Sequence, residues 1–326
     1  MITTSKLAPV VLFAYMRPKH LRLTVDSLRA NPEAAHTTLT VYCDAPKKPE
    51  HQAGVDAVRA YVDTIDGFAS VRRVYRDRNL GLARSIVSGV TEALQASDRV
   101  IVLEDDLLLS PHFLRFMNDG LECYCDDARV GTIQGYWYPV DRPLPETFFI
   151  PGADCWGWAT WARAWAHFQP EGRLLLAELK QRRLTRAFDF DGTYPYTRML
   201  RGQIAGRNDS WAVRWHASCF LRDLLMLYPG HSLVDNVGHD GSGTHCAAEA
   251  TYTTAVATAP VRVERIAVEA SAAARAALVD FHRRTQDPLW RKVLVRVRRE
   301  LMRLRTRLSP QPAPAPVDHA EPKANV

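Results

Sequence analysis

The chain has 326 residues, 47% hydrophobic and 24% charged, with a formal charge of +6; that is a globular composition and excludes disorder for most of the length. The excess charge sits at one end: residues 281–308 hold ten Lys or Arg against two acids, and with that +8 and the −1 of residues 309–326 set aside, residues 1–280 carry −1. A nucleic-acid-binding body is thereby disfavoured, because phosphate affinity rests on Lys and Arg spread over a folded face, and no apolar run reaches the roughly 18–20 residues of a membrane span.

Residues 9–15 are a continuous apolar run of strand length, and residues 18–30 follow with Leu21, Val25 and Leu28 at helical spacing. The stretch 8–16 is short and lacks a small-residue cleavage site, so it reads as a first strand rather than an export signal. A second strand is expected over 38–42, a helix over 54–65 with Val55, Val58 and Val62 on one face, and a third strand over 70–75. A helix over 82–94 and a β-branched strand over 99–103 come next. This alternation predicts an α/β fold, a mostly parallel central sheet flanked by crossover helices. Ligands of such sheets sit at the carboxyl ends of the strands. A helix over 111–123 follows, then a Trp-rich middle, a helical stretch over 174–188 and a Gly-rich loop over 238–246. From Thr251 the chain turns Ala-rich, then basic and helical, and ends Pro-rich, with five prolines in the last 18 residues, a disordered composition. The expected division is therefore 1–250 for the main domain, 251–308 for a helical extension and 309–326 for a tail. The six cysteines (Cys43, Cys123, Cys125, Cys155, Cys219, Cys246) form no C-x-x-C pair and suit reduced thiols in the cytosol.

Each predicted strand ends on polar residues: Arg17, Asp44, the segment from Arg76 to Gly81, and Glu104-Asp105-Asp106. Three carboxylates closing an apolar strand are costly without a cation among them. Mg²⁺ or Mn²⁺ takes few protein oxygens and completes its shell with phosphate and water. The plainer alternative is an acidic cluster ahead of the helix over 111–123. Asp44 before Pro46 also reads as an Asx turn, and Gly81 as a simple helix-leading turn. Trp158, Trp161 and Trp165 have the i, i+3, i+7 spacing of one buried helix face, which assigns Trp161 and Trp165 to core packing. Trp156 and Trp158 are reserved for a sugar pocket, where indole rings stack on apolar sugar faces.

The strand ending in Glu104-Asp105-Asp106, the segment Arg78-Asn79-Leu80-Gly81-Leu82-Ala83 and the first strand leading into Arg17-Pro18 resemble the nucleotide-sugar domain of GT-A glycosyltransferases. With the segments 151–158 and 238–246, the likeness extends to bacterial family 2-like sugar transferases related to the N-acetylglucosaminyltransferase I type, over roughly residues 8–250. The resemblance implies that Arg17 and Asp44 contact the base or ribose, and that Asn79, Gly81 and Arg84 line the nucleotide or diphosphate. It implies further that Glu104 and Asp105 hold ribose or donor sugar and that Asp106 ligates the metal. His245 is the expected second ligand, with His239 a rival in the same loop, and Asp240 and Ser242 belong to an expected lid. For the base that takes the acceptor proton, Asp209 matches the Asp-Trp-containing stretch of that family, although Ser210 stands directly before the tryptophan; Asp154 competes for the role.

The implied activity is inverting sugar transfer from a nucleotide-sugar donor to a glycan or lipid-linked acceptor in bacterial surface polysaccharide synthesis, dependent on Mn²⁺ or Mg²⁺. Trp290, Leu294, Val297, Leu301, Leu304 and Leu308 alternate four-three with arginines on the remaining faces. Such a helix suits an anionic membrane surface, which would place a cytoplasmic enzyme peripherally on the inner face of the membrane; docking on the body or short coiled-coil pairing are its alternatives. A sugar-phosphate nucleotidyltransferase would normally carry a Gly-rich loop directly after the first strand, and residues 14–19 contain no glycine. A catalytically inactive glycan-binding or scaffold protein is the non-enzyme alternative.

Overall fold

Strand and helix alternate through the first hundred residues as the periodicity predicts. In chain order the computed structural model has β1 (Val10–Ala14), α1 (Pro18–Arg29), β2 (Thr38–Cys43), α2 (Gln52–Asp63), β3 (Ser70–Tyr75), α3 (Leu82–Ala96) and β4 (Arg99–Glu104). Then come β5 (Leu107–Leu109), α4 (Phe113–Cys123), β6 (Val130–Gln134), β7 (Thr147–Ile150), β8 (Trp158–Trp161) and α5 (Ala162–Trp165). The remaining elements are α6 (Gly172–Gln181), α7 (Thr185–Phe188), α8 (Tyr196–Ile204), α9 (Trp211–Leu221), β9 (Leu225–Pro229), β10 (Val234–Asn236) and α10 (Ala272–Thr285). The structure describes residues 7–239 and 250–285; His245, with Asp240 and Ser242, lies outside them, as does the chain from 286 onward.

Eight strands form one sheet in the order β3-β2-β1-β4-β8-β6-β9-β7, and β5 pairs with β10 in a separate ribbon. The half from β3 to β4 is parallel; β8 runs antiparallel to both β4 and β6, and β7 antiparallel to β9. β1 is apolar throughout because both of its faces are covered. Val10 and Leu12 point into a core shared with α1, α2 and α4, while Val11 and Phe13 point into one shared with α3, α9 and α10. Full burial of a side chain such as Leu12 contributes about 1.5–3 kcal/mol. Because α1 and α2 cover one face and α3 the other, the winding reverses between β1 and β4, and the carboxyl ends of those two strands border the crevice where such sheets bind ligands.

Two expectations change. The helix expected over 174–188 breaks: Arg183 takes φ +57, and the Leu184 amide bonds back to the Leu179 carbonyl at 2.8 Å. This left-handed C-terminal cap usually uses glycine, so an arginine there hides the stop. The tryptophan spacing is strand-borne. Trp158 and Trp161 lie on β8, whose period of two sends Trp158 to one core and Trp161 to the other. Beyond residue 250 the described chain packs on the body, and one compact unit runs as far as Arg284. Ser110 Oγ donates to the Ala257 carbonyl (2.6 Å) and the Ile266 amide to Tyr124 Oη (3.0 Å), while Ala274, Leu278, Val279 and Phe281 of α10 close the second core. An Ala-rich composition conceals an apolar helix face that the body needs. No helix among the described residues is long and apolar enough to cross a membrane.

Candidate active site

Arg17 leaves β1 and Glu104 ends β4, and the parallel register sets Phe13 opposite Glu104, so the two strand ends meet at the reversal point. Pro18 opens α1 with its ring-fixed φ, which holds Arg17 at the helix entrance. From there Arg17 Nη2 donates to Asp105 Oδ1 at 2.7 Å and Asp106 Oδ2 at 2.9 Å. Asp105 Oδ2 also accepts the Tyr15 amide at 3.2 Å. These side chains are only 19%, 7% and 15% exposed in the order Arg17, Asp105, Asp106. One guanidinium thus faces three carboxylates. Burial first, then Asp106 and Asp105, holds the Glu104 carboxyl well above the usual range, and burial raises Asp105 even against Arg17. The two carboxylates in turn hold Arg17 firmly protonated despite its own burial.

The ribbon of β5 and β10 sets the roof of this cluster. Asn236 pairs with Leu107, the Val237 amide donates to the Asp106 carbonyl at 2.9 Å, and Gly238 then passes directly over the Asp106 side chain. A Cβ at 238 would stand 2.2 Å from Asp106 Oδ2, so glycine keeps the space beside that oxygen open. No set of three or more His, Cys, Asp or Glu side chains is preassembled around a point among the described residues. The donor set nevertheless fits a hard divalent cation. Its charge is under-compensated, its oxygens are carboxylate, and one of them lies under a glycine cradle, as suits an ion that takes one or two protein ligands and leaves the rest to phosphate and water.

The ends of β2 and β3 are built differently. Asp44, 6% exposed, accepts the Leu80 amide with both oxygens (2.9 and 3.0 Å) and the Gly81 amide at 2.9 Å. Asn79 Nδ2 donates to the Ala45 carbonyl at 2.7 Å. Both side chains expected at the nucleotide are therefore engaged in anchoring the loop that leads into α3. Gly81 caps α3 with φ +76, and a Cβ there would meet nothing within 4 Å, so the turn borders open space. Arg84 projects exposed from the first turn of α3, without an ion pair among the described residues.

The two expected bases part company. Asp209 is 64% exposed just ahead of α9, paired at 3.4 Å with Arg214, while its neighbour Ser210 caps the helix through the Val213 amide. Asp154 instead accepts the Tyr138 hydroxyl at 2.8 Å and the Cys155 amide at 2.8 Å. Burial raises its pKa, which makes it a stronger base than an ordinary aspartate. The adjacent Cys155 thiol is pushed up by burial and then by Asp154, Glu104 and Asp106. The Asp154 loop is held from behind: His216 Nδ1 accepts the Ala153 amide at 3.2 Å, and Tyr228 donates to the Gly152 carbonyl at 2.7 Å. Burial presses the His216 pKa down to about 4 and so keeps that imidazole neutral and able to accept.

Trp156 is partly open and packs edge-on against Tyr136 (4.6 Å) and His239 (5.3 Å), whose Nε2 is buried without a hydrogen-bond partner among the described residues, beside the Gly238 roof. Trp158 contradicts its expected place in the sugar pocket. It is 0% exposed, with Trp211 stacked on it at 5.4 Å and Trp165 and Trp215 at 6.0 and 6.1 Å. The strand register that buries Trp158 explains why its spacing misleads. Gly238 and Tyr138 were not among the residues the sequence singled out for the site itself; Gly238 was legible only as part of a Gly-rich loop, and Tyr138 carries no motif.

No protein-family model matches the chain, and no curated protein matches it. Among solved structures it is similar to the mannosyltransferase PcManGT from Pyrobaculum calidifontis in complex with GDP-Man and Mn²⁺, at 16% identity over 41% of this chain and 37% of that one, TM-score 0.31. It thus spans little more than a third of that enzyme. Two others are glucosyl-3-phosphoglycerate synthase from Mycobacterium tuberculosis with Mn²⁺, UDP and glucosyl-3-phosphoglycerate (13% identity, 55% of this chain, 67% of that, TM-score 0.33) and a UDP-glucose pyrophosphorylase with UDP-glucose (11% identity, 68% and 90%, TM-score 0.35). Similarity this remote assigns no activity.

Proposed function

We propose that the chain is a metal-dependent glycosyltransferase of GT-A type that moves a sugar, with inversion, from a nucleotide-sugar donor to a glycan or lipid-linked acceptor. The observation that carries this reading is the under-compensated carboxylate trio at the β1/β4 reversal point, with Gly238 holding space beside Asp106. Asp106 is the residue to hold Mn²⁺ or Mg²⁺; when bound, such an ion neutralises charge developing on a departing diphosphate. His239, beside the roof, is the described histidine placed to assist, with His245 a further candidate. Arg17 and Arg84 offer positive charge to phosphates, and the open turn at Gly81 admits a ligand close to the backbone of α3. Glu104 and Asp105 border the donor sugar or ribose, and Trp156 offers a partly open ring to a sugar face.

Asp154 takes the base role in this reading. Its raised pKa favours accepting a proton from an acceptor hydroxyl, and the Tyr138 hydrogen bond fixes one of its oxygens. Direct displacement needs no covalent intermediate, so one base and a stabilised leaving group suffice. The basic stretch from residue 286 would bring the enzyme to an anionic membrane on the cytoplasmic side, where a lipid-linked acceptor of surface polysaccharide synthesis resides. Because α10 belongs to the body, the truncation that tests this ends after Thr285, and retained binding to anionic vesicles would remove the membrane assignment.

The central test is incubation of purified protein with a panel of nucleotide sugars and Mn²⁺, identifying which phosphate product is released. Nucleoside diphosphate release, lost in Asp106→Asn, is the expected result. Pyrophosphate-dependent formation of a nucleoside triphosphate would identify a nucleotidyltransferase instead. Nucleotide binding indifferent to Mn²⁺ and to Asp106 would leave a non-catalytic binder.

A further inference from the structure

The same nitrogen of Arg17, Nη2, bridges Asp105 and Asp106, and its Asp106 contact is to Oδ2. That is the oxygen beside the space Gly238 keeps clear, and Arg17 Nη1 would lie 3.0 Å from a Cβ at that glycine. A divalent cation approaching Asp106 through the cradle and the Arg17 guanidinium therefore compete for the same oxygen, because their like charges repel at contact distance. Among the described residues Arg17 is the sole cation on these carboxylates, because no other Lys, Arg or His pairs with Glu104, Asp105 or Asp106.

We propose that Arg17 is a resident counter-ion that the cation displaces from Asp106, after which its guanidinium, still anchored on Asp105, serves the donor diphosphate. This rests on the cation reading of the site given above and adds an exchange to it. In the donor-free protein the cluster is partly neutralised by its own arginine, so a cation alone binds weakly. With a nucleoside diphosphate present, the displaced guanidinium gains a new partner, and the cation and the diphosphate strengthen each other's binding. One side chain therefore opposes one ligand and favours the other, and this opposition of signs separates the proposal from a merely structural role.

The experiment titrates Mn²⁺ by its electron paramagnetic resonance signal without nucleotide, and UDP and GDP by calorimetry at saturating Mn²⁺, on the wild type, Arg17→Gln and Asp106→Asn. For Arg17→Gln, affinity for Mn²⁺ alone is expected to rise about tenfold, and affinity for the preferred diphosphate to fall about tenfold, each a change of about 1.4 kcal/mol. Asp106→Asn should lose Mn²⁺ binding. Should Arg17→Gln fail to give a cooperative melt, Arg17→Lys takes its place, since an ammonium lacks the planar fork and should show the same two signs at smaller size. Unchanged or weakened Mn²⁺ affinity in the Arg17 variant, or changes of the same sign for both ligands, overturns the exchange while leaving the cation site standing. Absence of Mn²⁺ binding to the wild type, even with either diphosphate, overturns the cation reading and the exchange with it.

Discussion

The strands on either side of β1 each end in a buried carboxylate, and the partners of the two differ. At the end of β2, Asp44 is satisfied by backbone amides of Leu80 and Gly81, so its charge is spent on fixing a loop. At the end of β4, Glu104, Asp105 and Asp106 share one guanidinium, and no hydrogen-bond donor among the described residues reaches Glu104. A carboxylate at a strand end is therefore not by itself a functional signal. What distinguishes the β4 end is negative charge left without a partner in a partly desolvated place, which is the condition a bound cation relieves.

Substitution should separate the two ends by kind. Asp106→Asn is expected to lower turnover a thousandfold or more, about 4 kcal/mol of barrier, with an unchanged or higher melting temperature because like-charge repulsion is relieved. A stability loss with activity retained would reverse the comparison. Asp154→Asn should lower turnover by about 10²–10⁴-fold, the range of a general base, whereas Asp209→Asn should stay within about threefold; steady-state kinetics on the pair decides which carboxylate acts. Gly238→Ala should weaken Mn²⁺ binding about tenfold by placing a methyl on Asp106 Oδ2, roughly 1.4 kcal/mol, while circular dichroism stays native. Asp44→Asn should do the opposite of Asp106→Asn, costing about 1–3 kcal/mol of stability through unsatisfied amides, read by urea unfolding.

The pH dependence of stability has a defined sign. His216 and His282 are both pressed down to about 4 by burial, so the folded state keeps them neutral while the unfolded chain takes up protons near 6.5. Their full stabilisation is present above about pH 6.5 and is lost as pH falls from there through about 4, by at most about 3 kcal/mol for each histidine. The raised carboxyls of Glu104 and Asp105 oppose this loss as they protonate. Thermal melts of the wild type and His216→Gln between pH 7 and 4 check the assignment: the variant should lose stability less steeply on acidification.

The chain order of elements through β4 is legible because covered parallel strands must be apolar on both faces and crossover helices on one. The acidic ending of β4 is equally plain, since three adjacent acids after an apolar run have few bland explanations. The tryptophan cluster misleads for a physical reason. Spacing of three and seven reads as a helix only until β8 pairs with β4 and β6, which buries Trp158 and Trp161 in opposite cores. Asp209 is the base that the chain favours over Asp154, and only folding sets Asp154 against a tyrosine hydroxyl and leaves Asp209 exposed.

Sequence alone thus determined the α/β class, the alternation that builds the parallel half of the sheet and the carboxylates that close β4, because periodicity and strand-end chemistry are local properties. Tertiary structure decided which charges have partners. It joined Arg17 to Asp105 and Asp106 across the β1/β4 reversal, saturated Asp44 with amides of a later loop and laid Gly238 over Asp106 through the β5/β10 ribbon. Hydrogen-bond satisfaction and desolvation depend on residues far apart in the chain, and those two quantities separate a site from a scaffold here.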